Sequence, residues 1–261
     1  MPEPSGGLLE GMRYDVWGEG SRPFLLLVHG FLSSRAQWRP NLEALARVAT
    51  PVTVELLGHG RSQSRRDPES YGVGAYVRRF EGLRERLGAE RWFICGQSFG
   101  AGLTIRYAIE HPRRVIGQVF TNSISGFSPP MRVDPAARAA HADALERGGH
   151  QALKAMSIYP RPSRRLPPEI WQGLVADAEL LSPRAVAEAM RGTVPGLSVL
   201  EDLARIAVPS LLVNGTARPR SSRCATAPST TSRACRWSIS TAATRSTSTA
   251  PKASTPPWPR S

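Results

Sequence analysis

The sequence predicts an α/β fold with a doubly wound, mostly parallel sheet and a helical insertion late in the chain. Three observations carry this. Short apolar runs recur at residues 24–28, 52–56, 92–95 and 115–121, as strands buried on both faces of a parallel sheet require. Helix-like segments with apolar residues at helical spacing alternate with those runs. A block from about 124 to 200 breaks the rhythm with several prolines (Pro129, Pro130, Pro160, Pro162, Pro167, Pro168, Pro183) and contains no strand-like run.

The elements follow in order. Residues 13–18 form an early strand. Phe24-Leu25-Leu26-Leu27-Val28 is a buried strand that ends at His29-Gly30-Phe31. A helix follows, with Trp38, Leu42, Leu45, Ala46 and Ala49 at helical spacing. Val52–Leu56 is the next strand and leads into Leu57-Gly58-His59-Gly60-Arg61-Ser62. Residues 71–87 form an amphipathic helix with Tyr76, Phe80, Leu83 and Leu87 on one side and arginines on the other. The strand 92–95, a helix to about Pro112 and a strand at 115–121 complete the first part of the core, residues 1–123. Residues 124–200 are expected as a helical cap over the carboxyl edge of the sheet. Residues 201–216 return one core strand, and 217–261 follow as a tail.

Gly96-Gln97-Ser98-Phe99-Gly100 carries the chemistry. A serine between two glycines, after an apolar strand and before a helix, sits in a very tight turn. The glycines remove side chains that would clash there. The hydroxyl is then exposed at a helix N-terminus, where backbone N–H groups stabilise developing negative charge. Ser98 is the candidate nucleophile, and Gln97 at most a positioning residue. Trp171, Met156, Met190 and Leu197 could line a pocket, though each fits a cap core as well. The cap arginines Arg132, Arg138, Arg161, Arg164 and Arg165 could attract an anion, or form a solvated face.

Charge and composition bound the alternatives. The net charge is +13, but residues 217–261 supply +8 of it, leaving 13 − 8 = +5 for everything before them. No nucleic-acid-binding motif accompanies the charge, so no nucleic-acid partner is expected. The N-terminus has neither a basic n-region nor an apolar h-region, and no apolar run approaches the roughly 20 residues of a membrane span. A cytoplasmic protein with no membrane partner is the expectation. The three cysteines, Cys95, Cys224 and Cys235, form neither a disulfide framework nor a metal-ligand spacing, and neither metal nor cofactor is expected.

The motifs occur together in one order and spacing: His29-Gly30-Phe31, Leu57-Gly58-His59-Gly60-Arg61-Ser62, Gly96-Gln97-Ser98-Phe99-Gly100 and Pro209-Ser210-Leu211-Leu212-Val213-Asn214-Gly215. Over residues 10–216 the chain resembles the α/β-hydrolase family, in its branch of small bacterial esterases, enol-lactonases and C–C bond hydrolases with a helical cap. The resemblance implies a serine hydrolase acting on a small carboxylic ester or lactone through an acyl-enzyme on Ser98. It places the oxyanion under the backbone N–H groups of Phe31 and Phe99. A C–C bond hydrolase and a non-catalytic binding protein of the same fold remain alternatives.

The same resemblance requires an acid shortly past Gly215 and a histidine well downstream of it, in a Gly-His context. Neither is present. The last acidic residue is Asp202, and no histidine follows His150. Of the five histidines, His29 belongs to the oxyanion loop, His59 to a turn after a strand, His111 to a helix end, and His141 and His150 to the cap. Residues 217–261 hold 18 Ser or Thr and lack periodicity, a composition that predicts disorder. We read this tail as a frame-shifted translation. Offset by one base, each new codon takes its last two bases from the first two of the residue in this sequence. Residues 236–249 then allow Pro-Val-Val-Asp-Leu-Asp-Gly-Gly-His-Ala-Val-Asn-Ile-Asp, with Pro-Glu at 251–252. The histidine falls at Thr244, and the slip lies between Gly215 and Ser222. The expected consequence is an impaired enzyme whose sheet lacks its C-terminal strand and closing helix.

Overall fold

The apolar runs become the centre of one sheet. A computed structural model of the chain describes residues 3–128, 134–164, 166–215 and 237–242. The strands are β1 (Ser5–Leu9), β2 (Met12–Val16), β3 (Phe24–Val28), β4 (Thr50–Glu55), β5 (Trp92–Gln97), β6 (Val115–Thr121), β7 (Ser210–Gly215) and β8 (Trp237–Ala242). Their order is β1-β2-β4-β3-β5-β6-β7-β8. The β1–β2 and β2–β4 pairs are antiparallel, and every pair from β4–β3 onward is parallel. Parallel neighbours need crossover helices, which cover both faces and account for the continuous apolar runs of β3 and β4.

Those helices are α1 (Arg39–Ala46), α2 (Val73–Arg86) and α3 (Phe99–Glu110). The α2 and α3 face buries Tyr76, Phe80, Leu83, Leu103 and Tyr107 against Leu26, Val28, Val54, Trp92 and Ile94. Inside that layer the Trp92 indole donates to the Tyr107 hydroxyl at 3.2 Å, which donates to Glu81 at 2.7 Å. The opposite face is thinner. There Trp38 and Leu42 pack on Leu25, Leu27 and Cys95.

The block after β6 is helical, as its prolines and lack of strand pattern predict. It contains α4 (Ile124–Phe127), α5 (Pro135–Ala155), α6 (Pro168–Ala178) and α7 (Pro183–Gly192). Proline occupies the first turn of α5, α6 and α7, where its missing N–H costs nothing. Leu145, Leu153, Tyr159, Val186 and Met190 form a second apolar cluster that also takes in Leu32 of the loop after β3. The hydroxyl of Ser34 donates to Asp177 of α6 at 2.6 Å, tying the block to that loop.

Two strands depart from the sequence reading. β1 was not expected. It is a short edge strand containing Gly6 and Gly7, and its half-exposed pattern hides it. The C-terminal strand expected to be missing is present as β8, parallel to β7 from Ser210↔Trp237 to Gly215↔Ala242. Residues 237–242 interleave Trp, Ile and Thr with serines, a strand-compatible run, and β7 otherwise offers an open edge with unpaired N–H and C=O groups. The average composition of the tail masks this short segment. The place of the closing helix, which the sequence reading expects to be missing, and Thr244 lie outside the described residues.

Candidate active site

The site begins with a backbone conformation. Ser98, between β5 and α3, has φ 52° and ψ −113°, which few non-glycine residues adopt. Two constraints impose it. The Ser98 amide donates to the Thr121 carbonyl at the end of β6 at 2.9 Å. Immediately after it, Ala101 donates to the Ser98 carbonyl at 2.9 Å, which starts the helix. The glycines are needed for space. A Cβ on Gly96 would run into the Gly100 carbonyl and the Thr104 hydroxyl, and one on Gly100 would run into the carbonyls of Val28 and His29. A side chain at Gly96 would force β5 away from α3, and one at Gly100 would force α3 away from the end of β3. The Ser98 side chain makes no capping bond to α3, although it stands at the N-cap position.

Two buried histidines shape the loop beside it. His29 Nε2 accepts from the Leu56 amide at 3.0 Å, so its proton is on Nδ1, which donates to the Gly30 carbonyl at 2.8 Å. His59 Nε2 accepts from the Leu32 amide at 3.3 Å, and its Nδ1 donates to the Leu57 carbonyl at 3.0 Å. The two rings lie 5.1 Å apart. Burial pushes His29 down to about 3, with His59 adding to the shift and the Gly30 hydrogen bond opposing it. Burial likewise pushes His59 down to about 4, against its bonds to Leu57 and Leu56. Both rings are neutral pins. His59 holds Leu32, which has a left-handed φ of 57°, in the loop that carries Phe31. Gln37 supports the same loop, its side-chain oxygen accepting from Ser33 Oγ at 2.8 Å and from the Gly30 amide at 3.3 Å.

The rings of Phe31 and Phe99 stack with centroids 5.0 Å apart. Neither backbone amide donates to a carbonyl or side chain among the described residues. The two residues named for the oxyanion thus flank Ser98, on the β3 loop and on the first turn of α3.

Ser98 opens into a cavity of about 1450 Å³ that also takes in Gly30, Phe31, Gln97, Thr121 and Asn122. Trp171 lines it, one of the two placements the sequence left open. Met156 and Met190 lie in the apolar cluster of the cap instead, and Leu197 belongs to the main core. Of the cap arginines Arg161 lines the cavity, while Arg132 and Arg165 lie outside the described residues. Asn122, with φ 48°, and Gln37, Trp38 and Asn41 are cavity residues the sequence reading missed. An Asn directly after a strand, able to take a left-handed φ, was the signal available for the first. The other three sit around the start of α1, where a surface helix and a cavity wall have the same sequence pattern.

No histidine and no carboxylate lines this cavity among the described residues. His111 stacks on Tyr107 at 4.9 Å at the end of α3, and His141 and His150 lie in α5. β8 runs parallel to β5, β6 and β7, so its end at Ala242 faces the same sheet edge as Ser98. Cys95 also touches the cavity, but burial raises its thiol to about 12, which keeps it protonated.

Comparison with known proteins agrees with the architecture. Residues 23–153 match the family described as alpha/beta hydrolase fold. Epoxide hydrolase B of Mycobacterium tuberculosis is 34% identical over 98 residues, 37% of this chain and 28% of that relative. The match therefore spans under a third of the length of that curated relative. A hydrolase from Pseudomonas aeruginosa superposes with TM-score 0.73 at 19% identity, over 92% of this chain and 89% of that one. The enol-lactonase from Burkholderia xenovorans superposes with TM-score 0.69 at 22% identity, over 90% of each chain. At these identities the two structures share a fold with this chain.

Proposed function

The chain belongs to the alpha/beta hydrolase family, and from that premise we propose that its site is built for acyl transfer from a small carboxylic ester or lactone to water. The observation that carries this reading is the strained backbone of Ser98 on the wall of a cavity that Phe31 also lines, with no partner for the Phe31 and Phe99 amides among the described residues. In the proposed reaction Ser98 Oγ attacks the acyl carbon, the Phe31 and Phe99 amides hold the oxyanion, and water releases the acid. A serine also argues against an epoxide substrate. Opening an epoxide with an alkoxide leaves an ether that water does not cleave, whereas a carboxylate nucleophile would leave a hydrolysable ester.

The base is the open part of this reading. We read residues beyond Gly215 as out of frame, with the catalytic histidine encoded at the position of Thr244 and the acid lost near the slip. β8 ends just before that position, on the edge where Ser98 stands, which supports the assignment. Without a base, the serine hydroxyl is a weak nucleophile at neutral pH, and loss of a triad costs on the order of 10⁶ in kcat. The absence of imidazole and carboxylate from the cavity among the described residues favours a second reading for this exact chain, a binding protein with the hydrolase fold.

Three measurements decide between them. Nucleotide sequence downstream of the Gly215 codon either carries the offset Gly-Gly-His frame or removes the frame proposal. The frame-restored protein should take a fluorophosphonate on Ser98 and turn over short-chain nitrophenyl esters. Absence of label on Ser98 in that protein would end the serine-hydrolase reading, while turnover no higher than that of a Ser98→Ala control would leave only the binding protein.

A further inference from the structure

The cavity that Ser98 opens into holds one charged side chain among its described residues, that of Arg161. Arg161 is exposed to solvent where it lines the cavity. No carboxylate pairs with Arg161 among the described residues, and none lines the cavity. Glu179, the acid of the neighbouring cap segment, is already engaged by Lys154 at 3.0 Å and by the Tyr159 hydroxyl at 3.3 Å. Arg161 is also held in place. Pro160 and Pro162 on either side restrict its backbone, and one guanidinium nitrogen donates to the Lys154 carbonyl at 2.5 Å. The remaining donors are available to a ligand. Around it the cavity wall is apolar, with Ile158, Leu166, Trp171 and Leu174. A solvent-exposed guanidinium beside an apolar wall, with no acid paired to it among the described residues, favours a ligand with a short hydrocarbon body and a carboxylate at one end.

We propose that Arg161 is the specificity determinant of the cavity, and that the substrate is an ester or lactone carrying a free carboxylate remote from the scissile bond. This rests on reading the Ser98 site as one for acyl transfer. In this arrangement the carboxylate docks on Arg161 and the apolar wall takes the chain between it and the ester carbonyl.

Binding can be read without turnover, since Trp38 and Trp171 line the cavity and report occupancy by fluorescence. The probes are monomethyl glutarate, which carries one carboxylate, and dimethyl glutarate, its neutral counterpart. The expected result is at least about tenfold tighter binding of the monoester at low salt, a preference that shrinks as salt screens the charge. Arg161→Gln should bring the two esters within about twofold of each other. Arg161→Lys, which keeps the charge but loses the fork geometry, should retain part of the preference. Equal affinity of the two probes for the unmodified protein, no measurable binding of the monoester, or a preference that survives in Arg161→Gln would each overturn the proposal. Failure of Ser98 to take a fluorophosphonate in the frame-restored protein would instead remove the hydrolase reading and leave the carboxylate preference standing as a binding property.

Discussion

Replacing His59 with Asn should flatten the acid side of the stability profile by about 2 kcal/mol, the linkage energy of one depressed imidazole at pH 5. His59 is fully buried and neutral, and its pKa stands near 4 against 6.5 in the unfolded chain. A depressed pKa means that the unfolded chain binds a proton more readily than the native protein. The resulting stability is complete above about pH 6.5 and is lost as pH falls toward 4. At pH 5 the unfolded imidazole is almost fully protonated and the native one is not, so about 1.5 pH units at about 1.36 kcal/mol each give about 2 kcal/mol for this residue. His29, depressed to about 3, contributes a similar loss by pH 5. Glu55 works in the opposite sense. Burial lifts it to about 7, so its native carboxyl takes up a proton first and stability rises as pH falls from 7 toward 4.5. The raw profile is therefore a sum of opposed contributions, and the difference between wild type and variant isolates the histidine. Asn keeps an acceptor for the Leu32 amide and removes the titration. Urea unfolding at pH 7.5 and pH 5.0 measures it, and linkage predicts that wild type loses about 2 kcal/mol more than His59→Asn over that interval. Identical losses in the two proteins would refute the neutral-pin account of the loop after β3.

Gly100→Ala places a Cβ against the carbonyls of Val28 and His29 and should destabilise the protein by about 1–3 kcal/mol in urea unfolding, with loss of probe labelling at Ser98 in the frame-restored protein; a change under about 0.5 kcal/mol would show that the elbow is not pressed on β3. Tyr107→Phe removes the acceptor of the buried Trp92 indole N–H and should cost about 1–3 kcal/mol by the same assay, whereas a hydroxyl contributing only its own bond would cost less. Restoring the offset frame after Gly215 should raise ester turnover by several orders of magnitude over the present chain, and mutating the restored histidine at position 244 to Ala should remove that gain, which a rate assay with nitrophenyl acetate reads directly.

The parts of the fold written in short-range pattern were legible. β3, β4, β5 and β6 are continuous apolar runs because helices cover both of their faces, and that burial shows in the residues themselves. The elbow was legible for a different reason: Gly96 and Gly100 are demanded by clashes close by in the chain and with one neighbouring strand, so the motif carries its geometry with it. β1 and β8 were hidden. Each is a short strand at an end of the sheet, specified by the partner edge more than by its own composition. The cavity wall was the least legible. Gln37, Asn41 and Asn122 are polar residues in ordinary positions, and only the meeting of α1, β6 and the cap makes them neighbours of Ser98. Arg161 could be named among five cap arginines but not chosen, since what distinguishes it among the described ones is its place on the cavity wall, which no sequence pattern encodes.

The same distinction bears on the proposal that this chain keeps its nucleophile and lacks its base. Everything that strains Ser98 lies between Val28 and Thr121: the β3 end against Gly100, the Thr121 carbonyl on the Ser98 amide, and His59 holding the loop that carries Phe31. None of these contacts reaches past Thr121. In the proposed reading the proton acceptor comes from beyond β7 and has no part in forming the elbow. The proposed change of frame after Gly215 would therefore remove the chemistry without removing its scaffold. The strain at Ser98 persists because β3, β5 and β6 over-determine it, so in the proposed reading the scaffold for a carbonyl outlasts the loss of its base.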